Sequence, residues 1–265
     1  MTALFEARGV TKRFGGLTAL HAVDFALDEG IASIIGPNGA GKTTLFNVFT
    51  GLYQADEGSV TFREQPLLGL RPDQITALGI CRTFQNIRLF ANMTALENVL
   101  VGMHARVGLG LWDVLTHRPR FHATEGALMA RASALLERVG LLRQANEVAR
   151  SLPYGDQRRL EIGRALASEP ALLLLDEPTA GMTRGEAGAL MRLLRALVAD
   201  LRLAVILIEH NMRVVMEVSD RVTVLDHGEK IAEGPPQEVQ ANPRVIEAYL
   251  GTRHSGGPRR RLAER

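Results

Sequence analysis

The stretch from Gly36 to Thr43, Gly-Pro-Asn-Gly-Ala-Gly-Lys-Thr, constrains this chain more than any other feature. It follows Ile31–Ile35, a run with three isoleucines in which only Ser33 is polar, as in a strand buried on both faces. It precedes a segment from Lys42 to about Thr50 that reads as a helix stopped near Gly51. A strand, a glycine-rich turn and a helix in that order form an anion cradle. Glycines let backbone N–H groups approach a phosphate chain with no Cβ in the way, and the helix turns its positive end to the anion. Gly36, Pro37, Asn38, Gly39, Ala40 and Gly41 form the loop, Lys42 brings a charge to the outer phosphates, the Thr43 hydroxyl suits Mg²⁺, and Thr44 completes the run.

A second signal is Leu172–Leu175 followed by Asp176, Glu177 and Pro178. An apolar strand that ends in two carboxylates places them at a sheet edge. Beside a phosphate loop, Asp176 would hold Mg²⁺ directly or through water, and Glu177 would orient and polarise an attacking water. Taken alone, the same pair reads equally well as acids at a helix N-terminus.

The rest of the chain fits an α/β reading. With 46% hydrophobic and 23% charged residues, the 265-residue chain can build a packed core. A net charge of +2 argues against a surface built for nucleic acid. The single cysteine, Cys81, cannot form an internal disulfide and reads as a small buried hydrophobe. Met1–Val10 lacks the apolar stretch of a secretory signal, and the longest apolar runs, Ala171–Leu175 and Leu203–Ile208, fall far below the ~18 residues that span a bilayer. A link to a membrane therefore passes through a partner or a surface contact.

Val23, Phe25 and Leu27 alternate with Asp24, Ala26 and Asp28, the period of a half-buried strand; Leu4–Val10 and Ser59–Phe62 are further strand candidates. The middle, from about Asn86 to Ala167, reads as helical, with Leu96, Val99 and Leu100 on one face and Leu128, Leu135, Leu136 and Val139 on another. Arg106–Gly126, with Gly108, Gly110 and Pro119, is expected to be an exposed hairpin or insertion; His104, His117 and His122 nearby lack a ligand spacing. Further on, Leu172–Leu175, Leu203–Ile208 and Val222–Leu225 read as strands alternating with helices at Glu186–Ala199 and Asn211–Val218, the mark of a parallel sheet. Asp226–Gly228 reads as a tight turn, Asn242-Pro243 as a helix start and Gly251 as its stop, and residues 252–265 as a disordered basic tail.

With these residues in place, the chain resembles the ABC-transporter ATPase family over nearly its whole length. Gly36–Thr44 is similar to the family's Walker A motif, and Asp176 with Glu177 to its Walker B motif and catalytic glutamate. Arg82–Gln85 resembles the Q-loop, whose glutamine in the family reaches Mg²⁺ and the water and links the site to the membrane subunit. Ile208–His210 resembles the H-loop, whose histidine contacts the γ-phosphate, and Phe14 stands where the family stacks an aromatic on adenine. The resemblance implies a P-loop NTPase of ABC type: a mostly parallel core sheet with an N-terminal antiparallel β-subdomain and an inserted α-helical subdomain at about 86–167, all in one domain over 1–251. It also implies ATP and Mg²⁺ as ligands, with Thr43, Gln85 and Asp176 toward the metal and Glu177 and His210 as catalytic residues.

The family's Leu-Ser-Gly-Gly-Gln signature is altered to Leu152, Pro153, Tyr154, Gly155 and Asp156, followed by Gln157. In the family this segment opens a helix aimed at the γ-phosphate held by the opposite subunit. Pro153 supplies neither the serine hydroxyl nor an N–H; Gly155 and the helix N-terminus remain. Thr183 stands where the family commonly has an aspartate and offers a hydroxyl, without charge, for a bond across a dimer.

Tyr154–Ile162, Arg82–Phe90, Met93–Val99, Ile208–Met212 and Asn242–Gly251 are similar to ATPases of branched-chain amino acid importers. That implies a head-to-tail homo- or heterodimer with a second ATPase subunit, peripheral on the cytoplasmic face of the inner membrane. It would engage integral membrane permease subunits near Gln85–Glu97, meet a substrate-binding protein through the complex, and bind no nucleic acid. An ABC ATPase for another cargo (amide, urea or lipid), a non-transport ABC ATPase and a regulatory subunit without hydrolysis stay open on the residues alone.

Overall fold

Alternation of buried and exposed residues builds the N-terminal sheet. The structure, a computed structural model, describes residues 3–103 and 119–250, apart from the side chains of 119–125 and 250. Strands β1 (Phe5–Phe14) and β2 (Leu17–Leu27) pair antiparallel from Phe5↔Leu27 to Phe14↔Leu17. On β2, Val23, Phe25 and Leu27 are buried while Asp24 and Ala26 are exposed, as their period requires. Strand β4 (Glu57–Phe62) pairs with the other edge of β1, and β5 (Gln65–Pro66) completes the order β2-β1-β4-β5.

The second sheet has the order β10-β9-β3-β8-β7-β6 among the described residues. Its strands are β3 (Ile31–Ile35), β6 (Ile80–Arg82), β7 (Leu172–Asp176), β8 (Ala204–Ile208), β9 (Arg221–Asp226) and β10 (Glu229–Gly234). Strands β6 to β9 and β3 pair parallel, and only β10 runs antiparallel, joined to β9 through His227 and Gly228. Both turn residues have positive φ, 45° and 82°, the geometry that suits a two-residue hairpin. Every residue of β3, β7 and β8 is buried, so both faces of this sheet are covered.

Helix α1 (Lys42–Phe49) fills the space between the two sheets. Its Leu45, Phe46 and Phe49 join Phe5 and Phe25 of the first sheet and Ile34, Leu172, Leu174 and Ile206 of the second in one cluster. Gly51, at φ 71°, ends the helix as its sequence signals. Helix α2 (Pro72–Ala77), before β6, joins the same cluster through Ile75. The opposite face of the sheet, Leu173, Leu175, Val205 and Leu207, packs on the helical middle, α3 (Ala95–Met103), α4 (Pro119–Arg138) and α5 (Tyr154–Leu166). Val99, Leu136 and Val139 are buried there, with Leu96, Leu100, Leu128 and Leu135 packed beside them. A Cβ on Gly102 would stand 2.3 Å from the Arg164 carbonyl, which shows how closely α3 and α5 cross. Helices α6 (Arg184–Leu201), α7 (Met212–Val218), α8 (Pro236–Ala241) and α9 (Pro243–Leu250) complete the fold, and α9 opens on Asn242, whose Oδ1 accepts from Arg244 N at 2.9 Å.

The α/β class with a parallel core, an antiparallel sheet and added helices is the one expected. Three local readings change. From Pro119 onward the supposed irregular insertion is helix, because proline at the first helical position loses no helical bond. Strand β6 and helix α2 were too short for a periodic signal. Within the middle region, the connections around Leu142–Gln144 and Ala149–Ser151 are single 3₁₀ turns. The remainder of the insertion, His104, His117, the His122 side chain, Gly251 and the basic tail lie outside the described residues. Cys81 is buried as expected, its Sγ 2.8 Å from Ser168 Oγ. No described helix is long and apolar enough to cross a membrane.

Phe49 is fully buried, its ring 4.7 Å from Phe5 and 5.7 Å from Phe25. Phe49→Ala is expected to destabilise the fold by about 3–5 kcal/mol, read as a lowered urea midpoint. A cost below about 1 kcal/mol would show that the two sheets do not depend on this ring.

Candidate active site at the carboxyl ends of the parallel strands

Strands β3, β7 and β8 run parallel, so their carboxyl ends open on one edge, where ligands bind in open α/β sheets. The loop after β3 is fixed by glycine. Gly36 has φ 152°, and a Cβ there would stand 2.0 Å from the Leu225 carbonyl oxygen; Gly41 has φ 98°, and a Cβ would meet the Ala19 carbonyl at 2.7 Å. Gly39, at φ 83°, faces open space instead, so its backbone is left bare to a ligand. Lys42 begins α1 and is buried; its Nζ donates to the Gly36 carbonyl at 2.8 Å and the Pro37 carbonyl at 2.9 Å. Burial lowers its pKa, while Glu177 and then Asp176 act in the opposite direction.

A groove of about 600 Å³ runs along this loop, lined by Asn38–Thr44, Leu17–Ala19, Phe14, Glu177 and His227. Phe14 lies at its rim, 42% exposed, in a T-shaped contact with Tyr53 at 5.2 Å and with Lys12 Nζ over its ring at 5.4 Å. Leu17 beside it is 67% exposed.

The two carboxylates after β7 are held differently. Asp176 is buried and its Oδ2 accepts from Arg82 at 2.9 Å, both side chains being 8% exposed. Arg82 also donates to Asn47 Oδ1 at 2.7 Å and Thr50 Oγ1 at 3.2 Å, so α1 and β7 hold the same guanidinium. Glu177 has φ 47°, a left-handed conformation that costs a non-glycine residue about 1–3 kcal/mol. Its N–H donates to the Ile208 carbonyl at 2.9 Å, which tethers it to the end of β8. Gln85 Nε2 donates to Glu177 Oε2 at 3.2 Å, and His210 Nδ1 lies 3.6 Å from the same oxygen. The structure thus brings Gln85, Glu177 and His210 together from three separate segments.

Sequence reasoning missed the residues that support these groups. Glu209, fully buried, accepts from Thr179 N at 3.1 Å and Thr179 Oγ1 at 2.5 Å, and so ties the loop after β7 to the end of β8. A charged residue directly after five apolar strand residues was the available signal for Glu209, and a lone arginine ending an apolar run was the signal for Arg82. Arg158, with its side chain 2% exposed, donates through Nη1 to the Phe84 carbonyl at 2.8 Å and to Glu161 Oε2 at 3.0 Å. Its Nη2 donates to the Gln85 carbonyl and to Tyr154 Oη at 3.2 Å.

Residues 152–157 form the start of α5. Pro153 is its N-cap, and the Pro153 carbonyl accepts from Asp156 N at 2.9 Å and Gln157 N at 3.0 Å. Gln157 Nε2 turns back to the Leu152 carbonyl at 2.8 Å, while Tyr154 is 44% exposed. Gly155 is buried; a Cβ there would lie 3.3 Å from Glu186. None of these six residues lines the groove at Lys42 within one chain. Thr183, read as a candidate for a bond across a dimer, has partners within its own chain. It caps α6, its N–H and Oγ1 donating to Glu186 Oε2 at 2.8 and 2.7 Å, so its hydroxyl is used within its own chain.

With this geometry in view, the comparisons with known proteins are specific. A family model described as ABC transporter matches residues 20–180, and one described as branched-chain amino acid ATP-binding cassette transporter matches residues 229–255. The high-affinity branched-chain amino acid transport ATP-binding protein LivG of Salmonella typhimurium is 46% identical over 249 residues, 94% of this chain and 98% of that protein. The crystal structure of the ADP conformation of MJ1267, an ATP-binding cassette of an ABC transporter, superposes with a TM-score of 0.81 at 31% identity, covering 95% of this chain and 100% of the other. The dimeric post-hydrolysis structure of the cassette MJ0796 bound to ADP and Pi gives a TM-score of 0.72 at 28% identity, covering 88% and 98%.

Gly36→Ala forces a methyl group into the Leu225 carbonyl and must displace the loop. Its affinity for a fluorescent ATP analogue is expected to fall by about 10-fold or more in equilibrium titration. An unchanged affinity would mean that the loop does not form the phosphate cradle.

Proposed function

Because the chain belongs to the ABC transporter family, we propose that it is the ATP-hydrolysing subunit of an importer for branched-chain amino acids and works as one half of a dimer. The convergence of Gln85, Glu177 and His210 beside the Lys42 loop supports the reading most strongly, since one carboxylate oxygen has both an amide donor and an imidazole within 3.6 Å.

In this reading the backbone N–H groups of the Gly36–Thr43 loop and the start of α1 bind the phosphates of ATP. Lys42, now turned to the Gly36 and Pro37 carbonyls, reaches the outer phosphates from the same position. Phe14, exposed at the groove's rim, stacks on the adenine. Glu177 polarises the attacking water, and Gln85 and His210 hold that carboxylate and the γ-phosphate in line. The oxygen donors Thr43 Oγ1, Gln85 Oε1 and Asp176 suit Mg²⁺, and the Arg82 bond at Asp176 falls on Oδ2 rather than Oδ1. When bound, the ion would neutralise charge building on the phosphates.

The cargo assignment rests on the likeness to LivG and on the segment 229–255, which takes in β10, α8 and α9. The partners are integral membrane permease subunits, a second ATPase subunit of the same or a related kind, and a substrate-binding protein reached through the complex, with the chain peripheral on the cytoplasmic face. A dimer supplies what one chain lacks at the groove, the Leu152–Gln157 segment of the other subunit. ATP closes the interface and hydrolysis reopens it.

Three measurements test this. Glu177→Gln is expected to lower turnover by about 10²–10⁴-fold while ATP stays bound; ordinary turnover would remove Glu177 from the reaction. Lys42→Ala is expected to weaken ATP binding, and equal affinity would contradict the role of the loop. The assembled transporter in vesicles should take up labelled leucine only with ATP and this subunit; uptake of an amide or urea in its place would reassign the cargo.

A further inference from the structure

Arg158 and Glu161 form a buried ion pair that the chemistry above does not use. Their side chains are 2% and 3% exposed, and Nη1 to Oε2 is 3.0 Å. Burying two charges is costly unless further hydrogen bonds satisfy them. Those bonds go to the Gln85 loop. The guanidinium donates to the backbone carbonyls of Phe84 and Gln85, and Glu161 Oε1 accepts from the backbone N–H of Arg88 at 3.2 Å. The pair therefore grips the loop on both sides of Gln85 from one turn of α5. The same guanidinium donates to Tyr154 Oη and lies 5.6 Å from that ring. Tyr154 in turn packs where a Cβ of Gly181 would stand, 3.5 Å from its ring.

Backbone contacts of this kind fix where the loop sits without touching ligand, and they do so from the helix whose first turn carries Leu152–Gln157. We propose that Arg158, held by Glu161, is a positioning residue that makes the Gln85 loop and the start of α5 move as one unit. A permease pressing on the Gln85–Glu97 segment then shifts the segment that meets the opposite subunit's ATP. This rests on the importer reading; the clamp itself does not.

The test uses Arg158→Gln and the paired variant Arg158→Met with Glu161→Leu. The second keeps buried volume and removes both charges, a change that buried pairs often tolerate in stability. In the isolated subunit, amide hydrogen exchange over residues 84–88 is expected to speed up while the Gly36–Thr43 loop and ATP affinity stay unchanged. In the complete transporter in vesicles, the ratio of cargo-stimulated to cargo-free ATP hydrolysis, and uptake with it, is expected to fall by at least about 5-fold. Unchanged exchange in the loop overturns the clamp. An unchanged stimulation ratio overturns the coupling. A proportionate loss of ATP binding, both hydrolysis rates and thermal stability in the paired variant reduces the ion pair to a support of the fold and overturns the proposal. If the unsubstituted transporter ignores branched-chain amino acids, the importer reading falls, and the exchange experiment still decides whether Arg158 positions the loop.

Discussion

Three short strands, β3, β7 and β8, are buried at every residue, and the site is what comes immediately after each of them. Gly36 follows Ile35, Glu177 follows Asp176 at the end of β7, and Glu209 with His210 follows Ile208. A strand with both faces covered cannot slip or tilt without exposing apolar surface, so its last residue is placed firmly. The sheet thus sets a phosphate loop, two carboxylates and an imidazole on one edge before any ligand arrives. The cost falls on the charges that must sit where the apolar packing ends. Asp176 and Glu209 are buried at that edge, and each is held by a partner from a neighbouring segment, Arg82 and Thr179.

Glu177 is the exception in this scheme, and its conformation accounts for it. With φ at 47°, it turns the chain sharply out of β7 and keeps its carboxylate partly exposed beside the groove. The strain is offset by the bond from its N–H to Ile208 and by Glu209, which closes the following turn through Thr179. A buried carboxylate, a strained one and a second buried one are spread over the ends of β7 and β8; in the proposed reading they divide three tasks, with structure and metal at Asp176, chemistry at Glu177 and support at Glu209.

The residues that carried a pattern over several positions were legible in the sequence. The alternation on β2, the apolar runs of β3, β7 and β8 and the helical faces around Val99 and Leu136 all lie where their periods put them. Gly36 and Gly41 were legible because a glycine at that spacing has few other uses. Arg82 and Glu209 showed only as a charge at the end of an apolar run, a signal that marks the position without naming the partner, and Arg158 and Glu161 carried no local signal. The meaning of each comes from a partner far along the chain: 94 residues away from Arg82 to Asp176, and 73 from Arg158 to the Gln85 carbonyl. Thr183 shows a local pattern that was also legible: with Glu186 three residues later it forms a capping box visible in the sequence itself.

That local cap sharpens the question of what each subunit offers to its partner's nucleotide. Thr183 is occupied by Glu186, Gln157 by the Leu152 carbonyl, and Pro153 has no N–H. The Pro153 carbonyl takes the amides of Asp156 and Gln157. The first helical amides, those of Tyr154 and Gly155, have no acceptor within α5, because a helix leaves its leading N–H groups unsatisfied. In the proposed dimer the donors across the interface are therefore backbone ones, reinforced by the dipole of α5. Their aim depends on how the first turn of that helix is held. The contacts that hold it include the Arg158 bond to Tyr154, the Arg159 pair with Asp156 and the packing of Gly155 on Glu186, so in the proposed dimer these side chains set where the backbone donors point.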